Sequence, residues 1–260
     1  MLKGRRALVT GSLGGIGFAT ARALADRGCQ VMIHGLADAA QAESVRAELE
    51  KATGAKVAVS RADLSQLEEV DQLVTDAQAA LGPIDILVNN AVTRHTGPVE
   101  DIPLKTWNLA LAVNLTAPFR LIQLTLPGMK ERGWGRIVNI ASNWGLTGTV
   151  NRSDYVATKH GLIGLTRAVA LEALPFGVTC NAVTPGATLT PNARRQLDDL
   201  ARSSGEEPEK VIKTFLSTRQ PSGRFVMPED VAELIVFLCG DAAREMTGSP
   251  ISIDGGWVAM

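Results

Sequence analysis

Seven short apolar segments recur along this chain, separated by stretches that favour helices. Runs this short, rich in β-branched residues, are typical of strands covered on both faces. Strand–helix alternation predicts right-handed βαβ units, and therefore an α/β fold with a doubly wound, seven-stranded parallel sheet. The predicted strands lie near residues 7–9, 31–33, 57–59, 84–88, 137–140, 178–180 and 251–253, and helical segments near 18–27, 39–51, 67–81 and 158–174.

One segment interrupts this alternation, at about residues 191–221. It is polar and charged, and a long insertion between core elements is usually a lid or a disordered loop. Apolar positions within it favour two short helices packed as a movable lid: Leu197, Leu200, Val211, Ile212, Phe215 and Leu216. Without a linker or a repeat elsewhere, we expect one domain over residues 1–260.

The charge balance argues against two classes of partner. The 260 residues include 26 basic and 27 acidic side chains, a formal net charge of −1, so nucleic acid and anionic membranes are not expected partners. No uninterrupted apolar window approaches the roughly 18 residues of a membrane span, and the N-terminus lacks a signal-peptide pattern. The three scattered cysteines predict neither a disulfide framework nor a metal cluster. We therefore expect a cytoplasmic protein without a metal site.

A glycine-rich segment follows the first predicted strand, with glycines at Gly11, Gly15 and Gly17. Glycine permits a tight turn and close approach of the backbone to a pyrophosphate, and the next helix supplies N–H groups at its positive end. The spacing differs from the Gly-x-Gly-x-x-Gly fingerprint, so a plain glycine-rich turn is the alternative interpretation.

Two further motifs lie where open α/β sheets bind ligands, after the carboxyl ends of strands. Asn89–Asn90–Ala91 follows the fourth predicted strand. Asp63 and Leu64 follow the third, where the carboxylate is placed to accept a hydrogen bond from an adenine amino group. The alternative for Asp63 is a helix N-cap.

The catalytic candidates centre on Tyr155, the chain's single tyrosine, and on Lys159 four residues later. That spacing places both side chains on one helix face, where an ammonium favours the phenolate form needed in acid–base catalysis. Ser142 at the end of the fifth strand and Asn114 on an earlier helix complete the set. Taken singly, a Tyr/Lys pair of this spacing is usually surface packing.

Together these motifs resemble the classical short-chain dehydrogenase/reductase family over essentially the whole chain. The resemblance implies a Rossmann-like fold and hydride transfer between a nicotinamide cofactor and an alcohol or ketone. By position, Tyr155 would be the general acid/base, Ser142 would orient the carbonyl oxygen, Lys159 would bind the nicotinamide ribose, and Asn114 would hold a water of a proton relay. Residues implied to bind the cofactor are Gly11, Leu13, Gly15, Ile16, Gly17, Leu36, Asp63, Leu64, Asn90, Tyr155, Lys159, Pro185 and Thr190.

The cofactor choice depends on charge near the first two strands. Relatives that use NADP often carry a basic residue before the second glycine or just after the second strand, whereas this chain has Gly14 and Gly35–Leu36. Relatives that use NAD often carry an acid after that strand, and none is present here. The missing cation favours NAD, with NADP as the alternative. His34 is interpreted as a packing residue at the strand end rather than a phosphate ligand.

Within the family the chain resembles the bacterial D-3-hydroxybutyrate dehydrogenases, which implies a polar pocket for a small carboxylate. Carried over by position, the substrate would contact Arg94, Ser142, Trp144, Arg152, Tyr155, Gln196 and Trp257. Three of these depart from the usual pattern, because Arg94 replaces glutamine, Trp144 replaces histidine and Arg152 replaces lysine. Val92 also replaces a usual glycine. The two arginines are suited to binding a carboxylate or a dicarboxylate. The alternative is that Arg94 and Arg152 point to solvent at the rim of the substrate cleft.

We therefore expect an NAD-dependent dehydrogenase of a small 3-hydroxy acid such as 3-hydroxybutyrate. A reductase of another ketone, cyclic or a 3-oxoacyl thioester, is the enzymatic alternative. A non-catalytic nucleotide-binding regulator is the alternative from another class, disfavoured by the complete catalytic set. Apolar residues on several faces of the segments 104–129 and 154–174 also predict a homotetramer.

Overall fold

The computed structural model describes residues 2–260, which form a seven-stranded parallel sheet in the order β3-β2-β1-β4-β5-β6-β7. This confirms the predicted fold class. The strands are β1 Arg6–Val9, β2 Gln30–His34, β3 Val57–Ser60, β4 Ile86–Asn89, β5 Gly135–Ile140, β6 Val178–Pro185 and β7 Pro250–Ile253.

Nine α-helices connect these strands within the described residues and cover both faces of the sheet. They are α1 Gly15–Asp26, α2 Ala39–Thr53, α3 Leu67–Leu81, α4 Leu104–Leu111, α5 Ala117–Glu131, α6 Ser153–Ala173, α7 Pro191–Ser204, α8 Pro208–Ser217 and α9 Pro228–Cys239. Helices α1, α2 and α9 pack on one face, and α3, α5 and α6 on the other.

Successive side chains along each strand point to opposite faces of the sheet and so contribute to both layers of the core. In β1, Ala7 and Val9 face the α1/α9 layer, whereas Leu8 faces the α3/α5 layer, and all three are fully buried. Burying a leucine side chain contributes roughly 1.5–3 kcal/mol, so both faces of the strand hold the sheet to its helices. This two-sided burial explains why the strands are apolar throughout.

The fourth strand begins later than its apolar run predicts, at Ile86 rather than residue 84. Asp85 is fully buried before it and accepts hydrogen bonds from the Arg6 backbone N–H (3.1 Å) and Nε (2.7 Å). The Arg132 guanidinium lies 3.4 Å from the same carboxylate. This ion cluster lies at the amino ends of the strands, away from the ligand-binding edge, and is structural.

Helices α4 and α5 join through a single π-helical turn, 112–116, into one continuous helical segment. Its length and apolar composition, over Leu104–Glu131, are sufficient to cross a membrane. The buried side of α5, including Leu121 and Met129, instead packs in the α3/α5 core layer, as expected for a core helix. We interpret the segment as part of the sheet's covering layer.

Residues 191–217 form α7 and α8, which follow the carboxyl end of β6 in the chain and which we call the flap. The flap has its own small apolar core, formed by Leu197, Ala201 and Val211 with Phe215 packed against them. Leu200, an expected packing residue, is half exposed, because its position on α7 faces away from α8. The flap is therefore a folded unit with little contact to the main core.

Candidate active site

The sheet order reverses between β1 and β4, so their carboxyl ends open a crevice of the kind that binds ligands in open α/β folds. The loop from β1 to α1 enters it with two glycines in the left-handed region, Gly11 (φ 62°) and Gly15 (φ 56°). A Cβ at Gly17 would lie 2.3 Å from the Gly11 carbonyl oxygen, so only glycine fits there.

Hydrogen bonds to Asn90 and Thr10 fix this glycine loop. The Asn90 side-chain amide donates to the carbonyl oxygens of Thr10 (2.9 Å) and Gly11 (2.8 Å). The Thr10 hydroxyl accepts from the backbone N–H groups of Asn90 (3.0 Å) and Ala91 (3.1 Å). The predicted Asn-Asn-Ala motif thus hydrogen-bonds to the end of the neighbouring strand β1 and fixes the direction in which the glycine loop enters the crevice.

His34 at the end of β2 also supports the loop. Its Nδ1 accepts a hydrogen bond from the Gly11 N–H (3.2 Å), so its Nε2 carries the proton and donates to the Ala62 carbonyl (2.8 Å). Burial lowers the pKa of His34, which keeps the ring neutral. Because both ring nitrogens are hydrogen-bonded to protein groups, His34 has a structural role, in agreement with its interpretation as a packing residue rather than a phosphate ligand.

The residues expected at the adenine end lie around the ends of β2 and β3. Leu36 is exposed, whereas the Leu64 side chain is buried in the core and offers only its backbone to a ligand. One oxygen of Asp63 accepts from the Ser65 N–H (2.9 Å), so Asp63 closes a local turn, and the N-cap of α3 is Gln66 instead. Arg61 donates to the Ala37 carbonyl (3.5 Å), bringing a cation beside the loop after β2.

These features fit a dinucleotide. Helix α1 begins at Gly15 without a side-chain cap and without an acid in its first turn, so its first N–H groups have no side-chain acceptor. Such an end attracts phosphate oxygens. A Cβ at Gly14 would meet no atom within 4 Å, which indicates an open approach to the loop. The loop and the start of α1 therefore leave backbone N–H groups available to bind an anion.

Tyr155 and Lys159 lie one turn apart on α6, with both side chains buried. The Lys159 ammonium is 5.5 Å from the centre of the Tyr155 ring and donates a hydrogen bond to the Ile140 carbonyl (2.7 Å). Burial, assisted by the positive charge of Arg94, lowers the pKa of Lys159 to about 7. Two N–H groups of the ammonium remain for other partners.

Ser142 and Asn114 flank this pair. The Ser142 hydroxyl accepts from the Trp144 N–H (3.2 Å), which leaves its own proton free to donate. The buried Asn114 amide donates to the Thr93 carbonyl (3.0 Å) and accepts from the Thr93 N–H (2.8 Å). Asn114 therefore holds the loop that carries Arg94, and it lies within the π-helical turn.

A cleft of about 230 Å³ brings the catalytic and substrate candidates together. The predicted residues that line it are Ile16, Asn90, Arg94, Ser142, Trp144, Arg152, Tyr155, Lys159, Pro185, Thr190, Gln196 and Trp257. Other predicted residues lie outside the cleft wall, in the glycine loop, at the adenine end or behind the wall: Gly11, Leu13, Gly15, Gly17, Leu36, Asp63, Leu64 and Asn114. The cleft wall therefore holds most of the catalytic and substrate candidates together with part of the cofactor candidates, and most of the remaining cofactor candidates lie in the adjoining glycine loop and at the adenine end.

Aromatic rings form one wall of the cleft. Trp144 makes edge-to-face contacts with Tyr155 and with Trp257, each at a centroid separation of 6.0 Å. The Arg94 guanidinium lies 5.6 Å from the Tyr155 ring, and that of Arg152 lies 5.8 Å from the Trp144 ring. Both arginines therefore line the cleft beside Tyr155, with Arg152 half-buried and Arg94 exposed at the cleft's rim.

Sequence reasoning missed two kinds of cleft residue. Phe215 and Phe225 close the cleft from the flap side, and Arg219 follows α8 with its guanidinium 4.4 Å from the Phe215 ring. No motif in the sequence marks Arg219. The one available signal was its position at the end of the polar segment assigned to the lid.

Comparison with known proteins agrees with this geometry. Residues 11–258 match the family model described as enoyl-(acyl carrier protein) reductase. A D-beta-hydroxybutyrate dehydrogenase of Cupriavidus necator is 43% identical over 260 residues, covering 100% of both chains. That of Rhizobium meliloti is 40% identical, covering 98% of this chain and 99% of its own.

The chain belongs to the short-chain dehydrogenase/reductase family. Among solved structures, the L-sorbose reductase of Gluconobacter frateurii, complexed with NADPH and L-sorbose, superposes with a TM-score of 0.95 at 28% identity, over 99% of this chain and 98% of its own. Membership makes this short-chain dehydrogenase/reductase an oxidoreductase that acts on CH–OH groups with a nicotinamide dinucleotide.

Proposed function

We propose that this enzyme oxidises a small 3-hydroxy acid, of the 3-hydroxybutyrate type, to its 3-keto acid with NAD. One observation carries the proposal: two arginines, Arg94 and Arg152, line the cleft beside Tyr155. A guanidinium binds a carboxylate through two parallel hydrogen bonds, so the pair suits an acid rather than a neutral ketone. The full-length similarity to two D-beta-hydroxybutyrate dehydrogenases supports the same substrate class.

The catalytic roles follow from the positions of the side chains. A nicotinamide bound in the crevice would supply the acceptor for the hydride that leaves the alcohol carbon. Tyr155 takes the hydroxyl proton, and Ser142, whose own proton is free, donates to the substrate oxygen. Lys159 keeps two N–H groups for the nicotinamide ribose and for stabilising the phenolate. Because the Asn114 amide is occupied by Thr93, a relay water would be held by the backbone near it.

The cofactor-binding roles are proposed for the remaining residues around the crevice. The N–H groups at the start of α1 would hold the pyrophosphate. Asp63, with one oxygen left by its local turn, would accept from the adenine amino group. Thr190, the N-cap of α7, would contact the carboxamide. The methyl group of Thr190 lies close to the glycine loop, 3.3 Å from where a Cβ on Gly15 would be. The Leu36 side chain and the Leu64 backbone would line the adenosine.

NAD is the proposed cofactor because neither Gly14 nor Gly35–Leu36 supplies a cation for a ribose phosphate. NADP is the second candidate, favoured by Arg61 beside the loop after β2. Comparing kcat/KM with the two cofactors decides between them. If NADP is preferred, Arg61→Gln is expected to reduce that preference about tenfold or more, as for a lost charge-assisted hydrogen bond.

The proposed assembly is a cytoplasmic homotetramer. Apolar side chains on α4, α5 and α6 remain exposed in the single chain, among them Leu104 (72%), Phe119 (48%) and Leu171 (75%). Pairing these helices across a two-fold axis would bury them. Light scattering at micromolar concentration should return about four times the chain mass of 27.5 kDa. A monomer mass would remove this proposal.

The direct test of function is NADH formation with a panel of 2-hydroxy and 3-hydroxy acids, together with cyclic and acyclic neutral alcohols. We expect turnover with short 3-hydroxy acids and little with neutral alcohols of the same size. A panel in which neutral alcohols are preferred would favour the alternative, a reductase of another ketone. Absence of turnover with every compound and both cofactors would favour a nucleotide-binding regulator.

A further inference from the structure

The charge inside the cleft is far from balanced. Four cationic side chains line it, Arg94, Arg152, Lys159 and Arg219, and none of its lining residues is an aspartate or glutamate. The chain as a whole carries a formal net charge of only −1, so the positive excess in the cleft is a local feature. Within residues 2–260, none of the three cleft arginines forms an ion pair.

Like charges without a counter-ion are costly to hold together in a partly desolvated cleft. Arg152 is affected in this way, because burial and the neighbouring charge of Arg94 lower its pKa, and the opposing effects of Tyr155 and Asp154 do not offset them. The arrangement becomes favourable when anionic groups enter between the cations. A single carboxylate carries one charge and two oxygens, so it matches one pair of guanidinium groups rather than all three.

Arg219 is held in place rather than free at the surface. Its guanidinium stacks on Phe215 and its Nη1 donates to the Thr218 hydroxyl (3.1 Å), which leaves Nε and Nη2 without protein acceptors. The next residue, Gln220, is buried, and its side chain accepts from the Ala187 N–H (2.8 Å) just after β6. This anchor fixes the base of the flap to the sheet, so Arg219 faces the cleft from a defined position.

The three arginines come from three separate elements. Arg94 follows β4 and Arg152 precedes α6, so both lie against the Trp144–Tyr155 wall. Arg219 approaches from the flap, beside Phe215 and Phe225. One pair therefore lies near the reacting carbon, and the third cation lies at the flap end of a cleft of about 230 Å³.

We propose that the preferred substrate is a short hydroxy dicarboxylate, with one carboxylate bound by Arg94 and Arg152 and the second bound by Arg219. This inference rests on the proposed hydroxy-acid dehydrogenase function and names its substrate class. The second carboxylate uses the free Nε–H and Nη2–H of Arg219, a parallel pair of donors that matches two carboxylate oxygens. A monocarboxylate still reacts, but it leaves Arg219 without its anion.

The test compares two acids that share a five-carbon chain and differ at one end. In 3-hydroxyglutarate that end is a carboxylate, and in 3-hydroxyvalerate it is a methyl group. We expect the wild-type enzyme to favour the diacid about tenfold or more in kcat/KM, mainly through KM. In Arg219→Gln that ratio should fall by about tenfold to a hundredfold, as for a lost charge-assisted hydrogen bond.

Two further variants make the test specific. Arg219→Lys keeps the charge and should recover part of the diacid preference, but not all of it, because an ammonium lacks the planar fork. Arg195→Gln removes the same charge from an exposed α7 position that does not line the cleft, and should keep the wild-type ratio. Equal losses for both acids in Arg219→Gln would indicate a structural role and overturn the proposal.

If Arg219→Gln fails to fold, the wild-type ratio of kcat/KM for 3-hydroxyglutarate to that for 3-hydroxyvalerate is sufficient to test the proposal. A ratio at or below one, with clear turnover of 3-hydroxyvalerate, contradicts the dicarboxylate inference and leaves the proposed function standing. No turnover of either acid, with NAD or with NADP, contradicts the proposed function itself. A ratio of ten or more supports both.

Discussion

The two halves of the cleft are built in different ways. The nucleotide half is organised around the backbone of the glycine loop: the side chains of Asn90 and His34 hydrogen-bond to main-chain groups of Thr10 and Gly11. The substrate half depends on charged and aromatic side chains that project from three separate elements. In the nucleotide half, a position such as Gly17 accepts only glycine, because a Cβ there would collide with the backbone. In the substrate half, a side-chain substitution can change which ligand is bound.

The largest expected effect lies at the junction of the two halves. Tyr155→Phe removes the hydroxyl that we propose moves the proton, while keeping the ring against Trp144. General acid–base catalysis contributes about 10²–10⁴-fold, so we expect kcat to fall by at least about a hundredfold. NAD binding, followed by fluorescence titration, should change little. Retention of more than half of the wild-type kcat would contradict the catalytic role of Tyr155.

The substrate half should respond to the loss of a single charge. Arg152→Ala and Arg94→Gln should each lower kcat/KM for hydroxy acids by about tenfold to a hundredfold, as expected for a charge-assisted hydrogen bond of roughly 1.5–3 kcal/mol. The matched control is Arg195→Gln on α7, outside the cleft. Losses of less than about twofold in both variants would place the two guanidinium groups in solvent during turnover.

The nucleotide half should respond to a single methyl group instead. In Gly17→Ala the added Cβ would lie 2.3 Å from the Gly11 carbonyl oxygen and 2.5 Å from the Asn90 amide nitrogen. Forcing an atom into such a space typically costs about 1–3 kcal/mol, so we expect a lower Tm and weaker NAD binding.

The control for that prediction is Gly14→Ala, three residues away in the same loop. Its φ of −176° is open to any residue, and an added Cβ meets no atom within 4 Å. We expect a Tm close to wild type. Equal Tm values for the two variants would show that the loop is not constrained by the backbone contacts described.

A pH-dependent effect is expected at Lys159, which lies between the two halves. Its pKa of about 7 in the folded chain lies below the ordinary value of 10.5, so between these pH values the unfolded state binds more protons. Stability of the cofactor-free enzyme should therefore gain from this group as pH rises from 7 to 10.5, and should not change with it below 7. Lys159→Met should remove that contribution, which chemical denaturation at several pH values measures.

Arg94 extends the same test across the cleft. Its positive charge is the second cause, after burial, of the lowered pKa of Lys159. Arg94→Gln should therefore raise the pKa of Lys159, so the ammonium persists to higher pH. NMR titration of labelled lysine reports this directly, and a pKa that stays the same or falls would show that the two cations do not interact.

Much of the fold could be predicted because its signals are local. The apolar runs gave the seven strands, yet β6 continues to Pro185 through polar residues such as Asn181. Asn181 is buried there and donates to the Met246 carbonyl (2.6 Å), a partner that no local pattern shows. Similarly, Asp85 was assigned to β4 but precedes it, because arginines distant in sequence surround its carboxylate.

The candidate site was predictable to the extent that its residues occur in motifs. Tyr155 and Lys159 are connected by helical spacing, and the glycine loop by its turn requirement. Arg219 has neither signal, because the packing of the flap brings it to the cleft, through Phe215 and the Gln220 anchor. Long-range packing of this kind is a property of the tertiary structure.

The central claim is that the substrate half of the cleft selects its ligand by negative charge. The most direct measurement is kcat/KM of the wild-type enzyme for 3-hydroxybutyrate and for its neutral methyl ester, with NAD at saturation. We expect the acid to be favoured by about tenfold or more, since one charge-assisted hydrogen bond is lost at the ester. Equal kcat/KM values for the acid and the ester would contradict it.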